Sequence, residues 1–268
     1  MTYYHRKKFT GEVNNRRITC KLRDTKHYES KYHHCAFKPS VLDLFCCAGG
    51  AGYGYYAAGF NVTGVDIVTR KNYFADFRLG DAIEYLKDLG SNYNFIHASP
   101  PCQLYSCSTH AHKMKGKTYP DLVNITRTAL NASGKPWVME NVMQAPLERH
   151  LLLRGEMFGL RVIRKRVFEF RGGFEWTKTP PPFTPISVAR GEAVIIYGNA
   201  SLKPTGHGNY GDPGRRIVRP DWCLPTIRQT WSYAMGINNY MTDREIAESI
   251  PPAYTQYIGE EVMNRLFR

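Results

Sequence analysis

The chain has no apolar run approaching the length that spans a bilayer, and its basic segments lack an apolar face long enough to lie in a membrane interface. No membrane association is therefore expected, and the lack of a signal-like start predicts a cytoplasmic protein. Its 7 cysteines form no disulfide framework, which also suits a reducing compartment. Cys20, His27, His33, His34 and Cys35 lie near one another, but their spacing fits no paired-cysteine pattern, so no metal is assigned. Internal repeats and low-complexity tracts are missing too. What is scarce above all is acid. The chain has 23 Asp and Glu against 36 Lys and Arg, a formal charge of +13 over 268 residues.

That imbalance favours a polyanionic partner, because each phosphate neutralised by Lys or Arg releases condensed counterions. The charge is concentrated at the start: residues 1–38 alone carry net +7. They read as a flexible, phosphate-gripping arm. The 43% hydrophobic content of the whole chain allows one sizeable domain plus a small appendage.

The positive signals begin with Ser99-Pro100-Pro101-Cys102-Gln103, which follows the apolar run Asn94 to Ala98. A strand ending in a double proline can neither continue nor enter a helix at once, so the chain must turn and leave Cys102 at the sheet's edge. Such edges are where α/β enzymes do chemistry. On this stretch alone, a buried cysteine acting as a small hydrophobe is an equal alternative. Upstream, Val41 to Phe45 reads as an apolar strand entering a glycine-dense turn, with Gly49, Gly50 and Gly52 ahead of a helix. Glycines admit close backbone approach to a ligand, and a helix start offers free amides, so this reads as a nucleotide-type cofactor site. A second strand, Val62 to Asp66, ends in an acid suited to ribose hydroxyls, and Asp81 marks a third strand end.

With these motifs the chain resembles the cytosine-5 DNA methyltransferases, most closely the compact phage and bacterial type. The resemblance runs from Val41 to the C terminus and is weakest from Gly172 to Thr230. It rests on Asp43-Leu44-Phe45 with Gly49 and Gly50, on Asp66 and Asp81, and on Pro101-Cys102-Gln103. Glu140-Asn141-Val142, Arg164-Lys165-Arg166, Met241 to Glu245 and Ser249-Ile250-Pro251-Pro252 complete it, in the family's order. It implies a doubly wound, Rossmann-like α/β methyltransferase sheet with a small inserted target-recognition domain. The implied boundaries are a basic extension over 1–40, a catalytic and cofactor-binding part over 41–171, recognition over 172–230, and a catalytic C-terminal part over 231–268.

The implied cofactor is S-adenosylmethionine, held by Asp43, Phe45, Cys47, Gly49, Gly50, Asp66, Ile67, Asp81, Pro100 and Ser249. The implied catalytic set is Cys102, Glu140, Arg164 and Arg166. Gln103, Ser106, Arg215, Arg216 and Arg219 are the candidate contacts to double-stranded DNA, for a monomer working in a prokaryotic or phage-infected cell. The chemistry agrees with the residue types. A thiolate added to carbon 6 makes carbon 5 of cytosine nucleophilic, and a carboxyl group at ring nitrogen 3 shares a proton as charge develops. Glu140 closes an apolar strand, Pro136 to Glu140, where an acid needs a partner or a raised pKa. Arg164 and Arg166 alternate with apolar residues, so an extended segment points both to one face, where they would hold the base and help to keep the thiol ionised.

Three positions depart from the family pattern. Cys47 stands where Gly is usual, Val162 where Gln is usual, and Glu248 where Asn is usual, bringing an acid near the cofactor. Elsewhere, Asp121 to Ser133 and Tyr254 to Leu266 read as helices, and Thr242 with Glu245 as a capping box. The polar loop between Gln103 and Pro120 reads as a lid over the site. Three rival readings are an RNA cytosine-5 methyltransferase, a non-catalytic DNA-binding protein and a nicotinamide dehydrogenase. The tRNA-directed relatives carry a Cys-Phe-Thr motif that is absent here. A dehydrogenase has no use for Cys102, Glu140 and Arg166 together.

Overall fold

The computed structural model describes residues 7–13, 16–22, 38–106, 119–148, 150–188, 190–196, 221–238 and 240–267. Strands β1 (Lys7–Val13) and β2 (Arg16–Leu22) pair antiparallel, with Val13 opposite Arg16. The segment that reads as a phosphate-gripping arm thus contains a hairpin. Ile18, Thr19, Val13 and Phe9 are strand-forming types, and only two residues separate the strands, the shortest common hairpin connection. Of the Cys20 and His cluster, only Cys20 lies in a described element, and the described residues hold no group of three or more metal-ligating side chains.

The main body is a seven-stranded sheet ordered β5-β4-β3-β6-β7-β9-β8. Its strands are β3 (Ser40–Leu44), β4 (Asn61–Asp66), β5 (Asp76–Leu79), β6 (Phe95–Ala98), β7 (Trp137–Asn141), β8 (Leu151–Leu153) and β9 (Arg166–Arg171). The strands from β5 to β7 are parallel, and β9 runs antiparallel to both neighbours. The expected doubly wound sheet is the one observed. The chain leaves β3 towards β4 and β5, then returns to place β6 on the other side of β3. This reversal opens a crevice beyond the carboxyl ends of β3 and β6, the usual ligand position in such sheets.

Helices cover both faces. On one side α1 (Gly50–Ala57) and α6 (Pro252–Leu266) pack over Val41, Phe95, Val138, Phe168 and Phe170, through Tyr55, Tyr254, Ile258 and Val262. On the other, α2 (Ala82–Leu89) and α3 (Val123–Ala132) cover Leu42, Leu44, Ile96, Trp137 and Met139 with Leu86, Val123 and Leu130. The alternation Val41, Leu42 along β3 is the period of two that a sheet buried on both faces requires. α1 and α6 approach so closely that a Cβ on Gly54 would lie 2.1 Å from both the Pro252 carbonyl and Thr255 Oγ1. α4 (Ile227–Met235) and α5 (Asp243–Glu248) both begin with full capping boxes, at Thr226/Gln229 and Thr242/Glu245.

The described part of the segment expected to form a recognition domain packs on the main body. Phe174 and Trp176 continue the Phe170 cluster, whereas Val194 and Ile196 join Val162 and Trp231 in a third. Arg215, Arg216 and Arg219 lie outside the described residues, as do 107–118 of the loop expected to act as a lid.

Candidate active site

β6 leads into the loop that carries Cys102, the expected nucleophile, and β7 carries Glu140. Because the two strands run parallel and in register, Ala98 opposite Met139, their ends emerge side by side. The loop is pinned from below: Asn141 Nδ2 donates to the Pro100 carbonyl at 2.9 Å, and its own Oδ1 accepts from the Val142 amide at 2.8 Å. Beyond it the Cys102 carbonyl accepts from the amides of Tyr105 and Ser106 at 3.0 and 2.9 Å, so the chain coils immediately after the cysteine. Cys102 is half-buried, Ser106 partly so, and Gln103 exposed.

Glu140 is only 5% exposed. β9 runs antiparallel to β7, setting Phe168 opposite Glu140, and so brings Arg166 within reach: its Nε lies 2.8 Å from Glu140 Oε1. The contact is ionic and not aligned as a hydrogen bond, so Oε1 accepts none from the described residues. Burial raises the Glu140 pKa above the carboxylate range, against the opposing pull of Arg166, a Ser99 hydrogen bond and Arg164. Burial likewise raises the Cys102 thiol, with Arg166 and Arg164 pulling down and Glu140 pushing up. The arginines therefore act on the thiol in the expected direction but do not outweigh its burial.

The two arginines do not share one role. Arg166 faces Glu140, whereas Arg164 is 6% exposed and donates to the backbone carbonyls of Ile196 at 3.3 Å and Ala247 at 2.8 Å. Burial lowers the Arg164 pKa to about 9, still protonated at neutral pH, and its Nε has no hydrogen-bond partner among the described residues. β9 begins at Arg166, so Arg164 lies just before the paired strand.

Across the crevice, the β3 turn carries two non-glycine residues in the left-handed region, Phe45 at φ 58° and Cys47 at φ 47°. At Cys47, where glycine is usual, that conformation costs about 1 kcal/mol. Its amide donates to Asp66 Oδ2 at 2.9 Å and its thiol to Glu248 Oε2 at 3.4 Å, which hold the strained residue in place. Burial pushes the Cys47 thiol up to about 12. Asp66 also accepts the Val68 amide at 2.9 Å and lies 3.3 Å from Arg70. Glu248 accepts from Arg244 at 2.8 Å with Arg70 4.0 Å away, so its charge is answered by two guanidinium groups instead of facing the crevice alone. No pattern in the sequence singles out Arg70.

Several features suit a bound nucleoside. Ile67 and Val68, directly after Asp66, are 73% and 53% exposed, an apolar ledge with nothing of the chain's own upon it among the described residues. Asp81 N-caps α2 through Oδ1, accepting from Ile83 and Glu84, and among the described residues Oδ2 accepts no hydrogen bond. Asp43 is fully buried with Oδ1 unpartnered among the described residues, and burial lifts its pKa to about 7. Gly49 sits at φ 92°, and a Cβ on Gly50 would come 2.7 Å from the Ile250 carbonyl and 2.8 Å from Ser249. Ser249 thus borders the turn by packing, while its hydroxyl donates to the Glu245 carbonyl at 2.7 Å.

No protein-family model matches the chain, and neither does any curated protein. Solved structures do. An Entamoeba histolytica methyltransferase, EhMeth, superposes with a TM-score of 0.58 at 14% identity, covering 87% of this chain and 100% of its own. A Spodoptera frugiperda DNMT2 variant gives a TM-score of 0.54 at 14% identity, covering 82% of this chain and 98% of its own. The protein is thus similar to these methyltransferases in fold, a mixed Rossmann-like sheet flanked by helices.

Proposed function

We propose that the protein is a cytosine-5 DNA methyltransferase of the compact phage or bacterial type, using S-adenosylmethionine. One observation carries the reading. Three segments far apart in sequence bring a cysteine, a buried glutamate of raised pKa and two arginines to the ends of adjacent strands. Burying Glu140 against Arg166 beside a thiol is costly, and groups perturbed in this way cluster at functional sites.

Asp66 and Asp81 would hold the ribose and adenine of the cofactor against the Ile67 ledge, with Asp43 and the Gly49 turn at its other end. The cofactor supplies an electrophilic methyl group. Cys102 loses its proton and adds through sulfur to carbon 6 of the cytosine, and the ring electrons move to carbon 5. Glu140 supplies a proton to ring nitrogen 3 as negative charge gathers there. Arg166 holds Glu140 and offers its remaining donors to the base carbonyl. After carbon 5 is methylated, its proton departs to water, the carbon–sulfur bond breaks, and Glu140 recovers its proton from nitrogen 3. A base stacked in a duplex cannot reach Cys102, so the cytosine must swing out of the helix.

The net charge of +13 supports a nucleic-acid substrate, to which residues 1–38 add contacts to phosphate rather than to bases. The recognition segment is short, which favours a site on the order of 2 to 4 base pairs, read by a monomer. The test is methyl transfer from labelled S-adenosylmethionine to duplex DNA and, in parallel, to folded RNA, with the product base identified by mass spectrometry. Expected is 5-methylcytosine in DNA, lost by at least about 10³-fold in Cys102→Ser with DNA binding retained. A product in RNA alone, or full turnover in Cys102→Ser, would overturn the reading.

A further inference from the structure

Behind Glu140 lies a run of polar groups that the mechanism above does not use. His97, on β6, is fully buried, and so is Tyr55 of α1. Tyr55 Oη is 3.0 Å from His97 Nδ1, and His97 Nε2 is 2.8 Å from Ser99 Oγ. Ser99 and Glu140 are the next residues beyond the Ala98–Met139 pair of the parallel strands, and Ser99 lowers the Glu140 pKa as a hydrogen-bond donor to its carboxyl does. A histidine inside a parallel strand, opposite the buried Asp43 and Val138 and against the Tyr55 ring, is costly unless each ring nitrogen is satisfied. Here each is.

Donor accounting fixes the direction. The Tyr55 hydroxyl has one hydrogen-bond partner among the described residues, His97 Nδ1, and a buried O–H that donates to nothing is penalised. Tyr55 therefore donates, Nδ1 accepts, and the ring proton sits on Nε2. Nε2–H then donates to Ser99 Oγ, and the Ser99 O–H is left to donate to Glu140. Burial drives the His97 pKa down to about 3, so the ring stays neutral and the chain keeps one polarity throughout the working pH range.

We propose that Ser99 and His97 are positioning residues for Glu140: a one-way hydrogen-bond chain, Tyr55 to His97 to Ser99, that holds one side of its carboxyl while Arg166 lies against Oε1. The proposal rests on the role assigned to Glu140 above. A donor aimed at the carboxyl favours its ionised form, and so tempers the upward push of burial. The other groups facing Glu140 are Arg166 and Arg164 from β9 and the segment before it, Cys102 from the nucleophile turn, and Tyr254 from α6. The arginine pair, Cys102 and Tyr254 are left in place by a change at Ser99.

The test does not depend on turnover. In protein carrying 13C-labelled glutamate carboxyls, the Glu140 resonance is assigned by its loss in Glu140→Gln and titrated by NMR. Ser99→Ala should move its midpoint up by about one pH unit, the size of one lost hydrogen bond to a charged acceptor, and Ser99→Thr should restore it. The 15N shifts of the His97 ring in the wild-type protein should report a neutral ring protonated at Nε2. An unmoved midpoint in a folded Ser99→Ala, or a proton on Nδ1, overturns the proposal. If the wild type methylates neither DNA nor RNA, the function proposed above fails while these two spectra still decide the chain.

Discussion

The acids on the two sides of the crevice are held in opposite ways. Asp66, at the end of β4, accepts two backbone amides and lies against Arg70, so its oxygens are fixed by the fold's own main chain. Glu140, at the end of β7, is held by side chains alone, with one oxygen making no hydrogen bond to any described residue. Backbone amides cannot withdraw, so an acid bound to them serves as a fixed anchor for a ligand. An acid bound by side chains in a buried place exchanges its proton at modest cost, which is what a catalyst needs. On the function proposed above, Asp66 would hold and Glu140 would react, with β3 and β6 between their strands.

The sharpest way to break that contrast is Glu140→Gln. Single-turnover methyl transfer should fall about 10²- to 10³-fold, while the dissociation constant for S-adenosylmethionine changes by less than about two-fold. The pH profile gives the same contrast a sign. The thiolate fraction of Cys102 grows with pH and the protonated fraction of Glu140 declines, so the wild-type rate should rise and then fall. Glutamine cannot titrate, and the variant's rate should keep rising beyond the wild-type maximum. A large loss of cofactor affinity in this variant would show that the two sides are one unit.

Asp43, whose Oδ2 accepts from the Tyr73 hydroxyl at 3.3 Å while Oδ1 accepts from no described residue, tests whether incomplete pairing in a buried place has a cost across the crevice as well. Its folded pKa of about 7 lies above its unfolded value near 3.8, so the unfolded chain loses this proton first and stability falls as pH rises between the two. His97 acts oppositely: its depressed pKa makes stability rise with pH up to its unfolded value of 6.5. The quantity to read is therefore the difference between Asp43→Asn and wild type. By calorimetry the variant should gain on the order of 5 °C relative to wild type between pH 5 and pH 8. A difference that does not vary with pH would mean that Asp43 is ionised throughout.

The smallest effect is expected at Arg70. Arg70→Ala leaves the two amide bonds to Asp66 intact but removes the cation shared with Glu248. KM for S-adenosylmethionine should rise by about 5- to 10-fold with kcat nearly unchanged, the mark of lost uniform binding. A fall in kcat alone would place Arg70 with the reacting groups instead.

Much of this molecule is readable along the chain because its strands are local and their ends are punctuated. Double proline before Cys102, glycines after Phe45, an acid closing β4 and another next to the last residue of β7 are all signals carried within a few neighbouring residues, and the structure sets them around one crevice. The alternation of strand and helix likewise determines a doubly wound sheet. What local pattern cannot carry is which groups meet across separate segments. That Arg166 reaches Glu140 while Arg164 is spent on the Ile196 and Ala247 carbonyls depends on where β9 begins. That Arg70 braces both Asp66 and Glu248, and that His97 is joined through Ser99 to Glu140, depends on contacts between residues whose types alone look unremarkable. Secondary structure and turns follow from short-range sterics and periodicity, so sequence determined them. The ownership of each hydrogen bond, and with it each shifted pKa, was decided by burial and distance, which exist only once the sheet has closed.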